Sequence, residues 1–251
     1  MSSLSKNQLK ALAAYRIQKR CDDEGVFVVE GEKMCHEALA SEHKIIVICA
    51  TADYLATMSN ATVADEVYEV SPEQLERLSN MRTPQKVWML IERKAESGWR
   101  GNCFDFNEGG LVLALDGLQD PGNMGTIMRT ADWYGIRHIV CSRDTVSCYN
   151  PKVVQATMGA IFRTCVEYVD LASWLENTQT ATVYGAMLDG RDYRTATLQH
   201  PAVLVVGNEG RGISAPVAAR LHQRLTIPNI GGTCESLNAA VATAILVSRF
   251  F

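Results

Sequence analysis

Residues 111–115 read Leu-Val-Leu-Ala-Leu, five apolar positions in succession. A strand with one face in water alternates apolar and polar residues. An unbroken apolar run suits a strand buried on both faces, as in a parallel sheet covered by helices. Further strands are expected at 138–141, 182–187 and 202–206, with a shorter one at 224–227. Helices are expected between them, over 124–135, 151–158, 214–222 and 236–250. This alternation predicts an α/β fold built on a parallel sheet.

The first half is more mixed. Leu4 to Arg20 reads as one helix with Ser5 as its cap and Leu9, Leu12 and Ile17 among its apolar positions. Short strands are expected at 27–29, 44–50, 67–70 and 87–91, and a helix at 31–40. Ser71-Pro72-Glu73-Gln74 opens another helix, with the serine-to-glutamine spacing of a capping box and proline at the first helical position. The stretch 93–108 is polar, rich in glycine and asparagine, and without periodicity. It reads as a linker between a domain at 1–92 and a domain at 109–251. A chain of 251 residues is long enough for both.

Composition excludes several classes. With 47% hydrophobic and 21% charged residues the chain reads as globular. It has no apolar run of about 18 residues, so no membrane span is expected. No signal-peptide pattern opens it, and a cytoplasmic location follows as the expectation. None of the eight cysteines pairs at C-x-x-C spacing and the five histidines do not cluster with them. The cysteines are expected to act as small buried hydrophobes, with no metal. A net charge of −4 argues mildly against unselective nucleic-acid binding, yet Lys6, Lys10, Arg16, Lys19 and Arg20 all precede the first acid, Asp22. They form either a solvated helix face or a local basic surface.

Three loops follow strands at the edge where open α/β sheets bind ligands. In the first, Asp120-Pro121-Gly122-Asn123 has turn chemistry, Asn123 is a candidate helix cap, and Arg129 follows in apolar company that suggests partial burial. In the second, Val203–Ser214, glycines 207, 210 and 212 let backbone approach a ligand, and Glu209 either binds or caps. Its spacing is neither a dinucleotide fingerprint nor a P-loop. In the third, a strand ends at Pro228, and Ser236 is the expected cap of a helix whose first turn holds Leu237 and Asn238. Ala239, Ala240, Ala242 and Ala244 give that helix a small face suited to packing against another element or subunit.

Taken together, "NMGTIMRTA", "GNEGRG" and "IPNIGGTCESLN" resemble, in order, the three motifs of the SpoU/TrmH branch of the SPOUT RNA 2′-O-ribose methyltransferases. The stretch "FVVEGEKMCHEAL" is similar to that family's substrate-binding domain. The segment from Ile227 to Leu237 is one residue longer than the family pattern, and Ala239-Ala240 replace its Val-Ser. The resemblance implies a C-terminal SPOUT domain with a deep trefoil knot and a smaller N-terminal ribosomal-protein-like α/β sandwich. It implies that S-adenosylmethionine binds against Met187, Leu188, Gly207, Asn208, Gly210, Ile227 and Leu237. It also implies that Arg129 reaches the ribose 2′-hydroxyl in a site shared between two subunits, organised by Asn123, Glu209, Ser236 and Asn238. The expected protein is a homodimer through its C-terminal domain, acting on RNA, ribosomal before transfer RNA, with the N-terminal basic residues on phosphate. A non-catalytic RNA-binding assembly factor is the alternative from another class.

Overall fold

The computed structural model describes residues 2–58, 64–94, 110–178 and 180–251. The chain divides into two compact units, Met1–Ala95 with Tyr149–Phe162, and Glu96–Cys148 with Arg163–Phe251. Residues 95–108 of the expected linker lie outside the described residues.

The first unit holds a mixed five-stranded sheet. Its strands are β1 (Ser2–Ser3), β2 (Val26–Glu30), β3 (Ile45–Ala50), β4 (Ala64–Glu69) and β5 (Val87–Glu92), in the order β1-β4-β3-β5-β2. β1, β4 and β3 run parallel, while β5 is antiparallel to both β3 and β2. Strands β2, at the sheet edge, and β5 beside it are buried almost throughout, as their apolar runs require.

The expected single N-terminal helix is in fact two. Helix α1 (Lys6–Ala13) starts at the Ser5 capping box with Gln8, passes through a 3-10 turn at Ala14–Arg16, and breaks at Ile17, whose extended backbone precedes α2 (Gln18–Asp23). Ile17 is therefore 63% exposed and lies on no apolar face. Helices α3 (Glu32–Leu39) and α4 (Ala52–Thr57) follow β2 and β3; α4 was not expected. Helix α5 (Pro72–Leu78) begins at the Ser71–Gln74 capping box with Pro72 inside its first turn, as read. Arg93 is tied back to this unit by bonds to the Val26 carbonyl (2.9 Å) and Asp22 (2.5 Å).

The second unit is an all-parallel six-stranded sheet. Its strands are β6 (Leu111–Asp116), β7 (His138–Ser142), β8 (Cys165–Val169), β9 (Thr182–Asp192), β10 (Ala202–Gly207) and β11 (Gln223–Thr226), ordered β11-β9-β10-β6-β7-β8. Every residue of β6 is buried, as the apolar run demands. Its helices are α6 (Pro121–Trp133), α8 (Leu171–Glu176), α9 (Ala215–Ala218) and α10 (Ala239–Val247). β8 and α8 escaped the sequence reading because Cys-Val-Glu-Tyr-Val is half-buried edge strand, with too little apolar contrast. Helix α9 is four residues where nine were expected.

Helix α7 (Pro151–Thr157), capped by Asn150, belongs to the first unit. There the Gln155 side-chain amide donates to the Glu30 carbonyl (3.2 Å), and the rings of Tyr149 and Phe162 pack against Phe27.

Among the seven described cysteines, five are buried, Cys165 is half-buried and Cys234 is exposed, so the buried reading fails for Cys234. Cys103 lies outside the described residues. No described helix is long and apolar enough to cross a membrane.

Candidate active site

β6 delivers the chain to the sheet's carboxyl edge. Gly117 takes a left-handed turn at φ +70°, which frees its N–H to donate to Ser142 Oγ (2.7 Å) and Thr145 Oγ1 (3.1 Å). The preceding Asp116 carboxylate is buried and accepts from the Ser214 N–H at 2.6 Å. Three loops are thus fixed to one another before any ligand is considered.

The helix that follows starts earlier than expected. Asp120, not Asn123, is its cap, accepting from the Asn123 N–H at 2.7 Å, with Pro121 at the first helical position. This leaves the Asn123 side chain available at the third helical position, 8% exposed. Its amide nitrogen donates to Glu209 Oε1 (3.0 Å), and its amide oxygen accepts from Asn238 Nδ2 (2.8 Å). Glu209 also accepts from the backbone N–H groups of Gln119 (3.4 Å) and Asp120 (3.3 Å). Burial would push the Glu209 carboxyl up, but the bonds from Asn123, its own backbone, Gln119 and Asp120 outweigh it and hold it below the usual range. Glu209, Asn123 and Asn238, 115 residues apart at the extremes, form one hydrogen-bonded chain.

Asn238 does a second task. Its oxygen caps α10, accepting from Ala240 N (2.9 Å) and Val241 N (3.2 Å). Ser236 is accordingly not the cap; it and Leu237 precede the helix, exposed. The last loop is folded on Asn229, whose oxygen accepts from the Gly231 and Gly232 N–H groups (3.0 and 2.7 Å) and whose amide donates to the carbonyls of Gly232 and Cys234.

The glycine loop after β10 is closed by Asn208. Its amide donates to Gly117 O (2.7 Å) while its oxygen accepts from Gly210 N and Arg211 N (3.0 Å each). The three glycines there have different reasons. A Cβ on Gly207 would lie 2.3 Å from Gly212 C and Ile213 N; Gly212 has φ +69°; Gly210 faces open space apart from Asn208 Oδ1 at 3.7 Å. Along β9 the pairing to β11 jumps from Gly185–Arg224 to Arg191–Leu225, so the residues between bulge out. Met187 is half-buried and Leu188 is 74% exposed there. Ile227 is half-buried just past β11.

Arg129 departs most from expectation. It is exposed on α6, has no hydrogen-bond or ion-pair partner among the described residues, and shares its face with Trp133, itself 85% exposed. It lies about 9 Å along the helix from Asn123 and on a different face. The structure therefore joins Asn123, Glu209 and Asn238, and leaves Arg129 and Ser236 outside that cluster. Sequence reasoning missed Asp120 as the cap and Asp116 as the loop anchor. The Asp-Pro pair was the available signal for the first, since proline favours the first helical position.

In the N-terminal unit, Lys6, Lys10, Arg16 and Lys19 are exposed. Arg20 is engaged locally, 3.1 Å from Glu24 and over the Tyr15 ring. Among the described residues no group of three or more His, Cys, Asp or Glu is arranged to hold a metal.

Residues 110–248 match the model of the SpoU rRNA Methylase family, and residues 6–88 that of the MRM3-like substrate binding domain. The chain is 30% identical to the 23S rRNA (guanosine(2553)-2′-O)-methyltransferase RlmP of Bacillus subtilis, over 97% of this chain and 96% of that protein. It superposes on a TrmH-family protein from Porphyromonas gingivalis with a TM-score of 0.86 and 41% identity, covering 99% and 98% of the two chains. It superposes on the AdoMet-bound rRNA methyltransferase from Sinorhizobium meliloti with a TM-score of 0.83 and 28% identity, covering 100% and 96%.

Proposed function

The chain belongs to the SpoU rRNA methylase family, and from that premise we propose that it transfers a methyl group from S-adenosylmethionine to a ribose 2′-hydroxyl of RNA, ribosomal RNA first. The observation that carries this reading is the bonded chain Glu209–Asn123–Asn238, one residue from each of the three motif loops. A protein that kept only the fold as an RNA-binding scaffold has no need to hold those three side chains together.

The residues present fit the cofactor. Space stands open over Gly210, and Leu188 and Leu237 turn large apolar surface outward instead of packing inward. Met187, Asn208 and Ile227 complete the proposed lining, with Gly207 admitting no side chain at all. When bound, S-adenosylmethionine supplies an electrophilic methyl on a sulfonium, so the reaction calls on the protein for position and electrostatics.

Asn123 and Asn238 fix the loop ends, and Glu209, held ionised, keeps the Gln119–Asp120 turn in place. Ser236 completes the proposed organising set. Arg129 activates the hydroxyl by position and charge; guanidinium is always protonated, and its fork suits ribose or phosphate oxygen. Its outward placement, away from the Asn123 cluster, supports a site shared between two subunits. Exposed Trp133 on α6 and Val241 on α10, helices that pack on each other, support a homodimer through this unit. The return of the last loop to Asn123 through Asn238 supports closure of the C-terminal chain as a trefoil knot. The match over residues 6–88 supports the N-terminal unit as the RNA-binding, ribosomal-protein-like domain, with exposed Lys6, Lys10, Arg16 and Lys19 on phosphate and Arg20 contributing less. A cytoplasmic protein, where ribosomal RNA is made accessible, completes this reading.

The test is ribose-methylation mapping of total RNA from cells with and without the gene. Loss of one ribosomal 2′-O-methyl group is the expected result; an unchanged ribosomal profile with a lost transfer-RNA methyl group would reassign the substrate, and no change in either would refute the activity.

A further inference from the structure

The loops around the site are acidic. Residues 116–120, 142–148 and 207–214 carry Asp116, Asp120, Asp144 and Glu209 against Arg143 and Arg211. An RNA chain brought to Asn123 and Glu209 meets this field with its own negative charge, on a protein whose net charge is −4. Some cation on these loops must offset the repulsion close to the reacting ribose.

Arg211 is placed for it. Its backbone N–H is fixed by Asn208 Oδ1 at 3.0 Å, in the same turn that carries Glu209. Its side chain is by contrast 76% exposed, with the guanidinium 3.9 Å from Asp144 Oδ2 and 3.8 Å from where a Gly117 Cβ would stand. The guanidinium thus lies over the start of the loop that leads to Asn123. Asp144 is 62% exposed and is steadied through its other oxygen by the Ser142 hydroxyl at 2.6 Å. A pair this exposed and this long contributes almost nothing to stability. It keeps the guanidinium aimed across Gly117 while costing little to break.

We propose that Arg211 grips a backbone phosphate next to the methylated nucleotide, exchanging Asp144 for the RNA when substrate binds. This rests on the reading of the Glu209 loop as the methylation site, and it adds a substrate-positioning residue to it. The bidentate fork matches a phosphate's two free oxygens, whereas Asp144 at 3.9 Å offers no direct hydrogen bond.

The test uses the full chain and an unmodified 23S ribosomal RNA transcript. R211A is expected to weaken RNA binding about tenfold and to flatten the slope of log affinity against log salt by about 0.7 to 0.9, one phosphate contact. It should raise the KM for RNA, leave kcat within twofold, and leave S-adenosylmethionine affinity unchanged; R211K should recover only part of the RNA affinity. D144N removes the resident partner's charge and keeps its shape, so it should bind the transcript as well as the parent or better. The proposal is overturned if R211A keeps the parental affinity and salt slope, or if D144N and R211A lose RNA binding and melting temperature together, the mark of a structural bridge. Methyl transfer by the parent protein is scored separately. Its absence beside Arg211-dependent RNA binding would sink the enzymatic reading and keep the phosphate contact.

Discussion

Glu30 in the N-terminal unit and Glu209 in the C-terminal unit are the same residue type put to opposite use. Each carboxylate follows or ends a buried strand and ties down a segment far along the chain. Glu30 accepts from the Ser79 hydroxyl and from the Asn80 N–H (2.8 Å), and is 8% exposed. Burial pushes its carboxyl up in spite of the bonds from Ser79 and Asn80 and the charge of Arg16. Glu209 is open to solvent and held below the usual range by its donors. One is a bolt inside a scaffold, its charge opposed by burial; the other is a charge kept on display at a loop junction. The difference separates residues that hold a unit together from residues that hold a site ready.

The sharpest way to test that separation is Arg129→Ala. Because Arg129 is exposed and unpaired among the described residues, its loss should change stability by no more than about 0.5 kcal/mol. If the proposed role is right, methyl transfer falls by roughly a hundredfold or more, about 3 kcal/mol of barrier. Melting temperature and single-turnover methylation on the same sample decide it; a parental rate would remove Arg129 from the mechanism.

Gly207 breaks the simple division, being a proposed site residue with a structural duty. A Cβ there would lie 2.3 Å from backbone that cannot yield. Gly207→Ala should therefore cost about 3 kcal/mol, whereas Gly210→Ala, facing open space, should melt like the parent. Calorimetric binding of S-adenosylmethionine then separates the two positions further: Gly210→Val should fold and bind the cofactor weakly, and normal affinity in that variant would count against the placement.

These contrasts also show how far the residues alone could be read. The parallel sheet was legible because Leu111–Leu115 and Ala202–Val206 are apolar without interruption, and the Ser5 and Ser71 caps because a capping box is a local pattern. The motif residues were legible as types at fixed spacing. Which of them touch was not, since the Asn123–Asn238 bond joins positions 115 residues apart. Two helix caps differ from expectation for one reason: Asp120 competes with Asn123, and Asn238 with Ser236, and only the backbone decides which side chain meets the free N–H groups. The sequence suggests partial burial for Arg129 because Ile127, Met128 and Ala131 are its neighbours, yet those three lie on the core face and Arg129 on the other.

Glu30→Ala comes next in size. It leaves the Ser79 hydroxyl and the Asn80 N–H without their acceptor in a buried place, at about 2 kcal/mol. Denaturant unfolding should register the loss, while Glu209→Ala, at an exposed position, should lower activity with a smaller change in stability. Equal destabilisation by both would collapse the distinction drawn between the two carboxylates.

The smallest effect is the most diagnostic, because the two groups should respond to acid with opposite signs. Glu30 titrates above its unfolded value, so the folded state binds its proton more tightly than the unfolded chain does. Between the ordinary carboxylate value and its raised one, stability attributable to Glu30 falls as pH rises. Glu209 titrates below its unfolded value, so its contribution is in place above the ordinary value and is lost as pH falls through the lowered one. Glu30→Gln removes the first dependence and keeps an acceptor for the Asn80 N–H; Glu209→Gln removes the second and keeps an acceptor for Asn123. Melting curves from pH 3 to 7 on the parent and both variants should therefore diverge in opposite directions. Relative to the parent, Glu30→Gln should gain most at the upper end of the range, and Glu209→Gln should lose most there. Parallel curves for the two variants would mean that the fields around Glu30 and Glu209 are alike, and that the scaffold and the site are not told apart by how they hold charge.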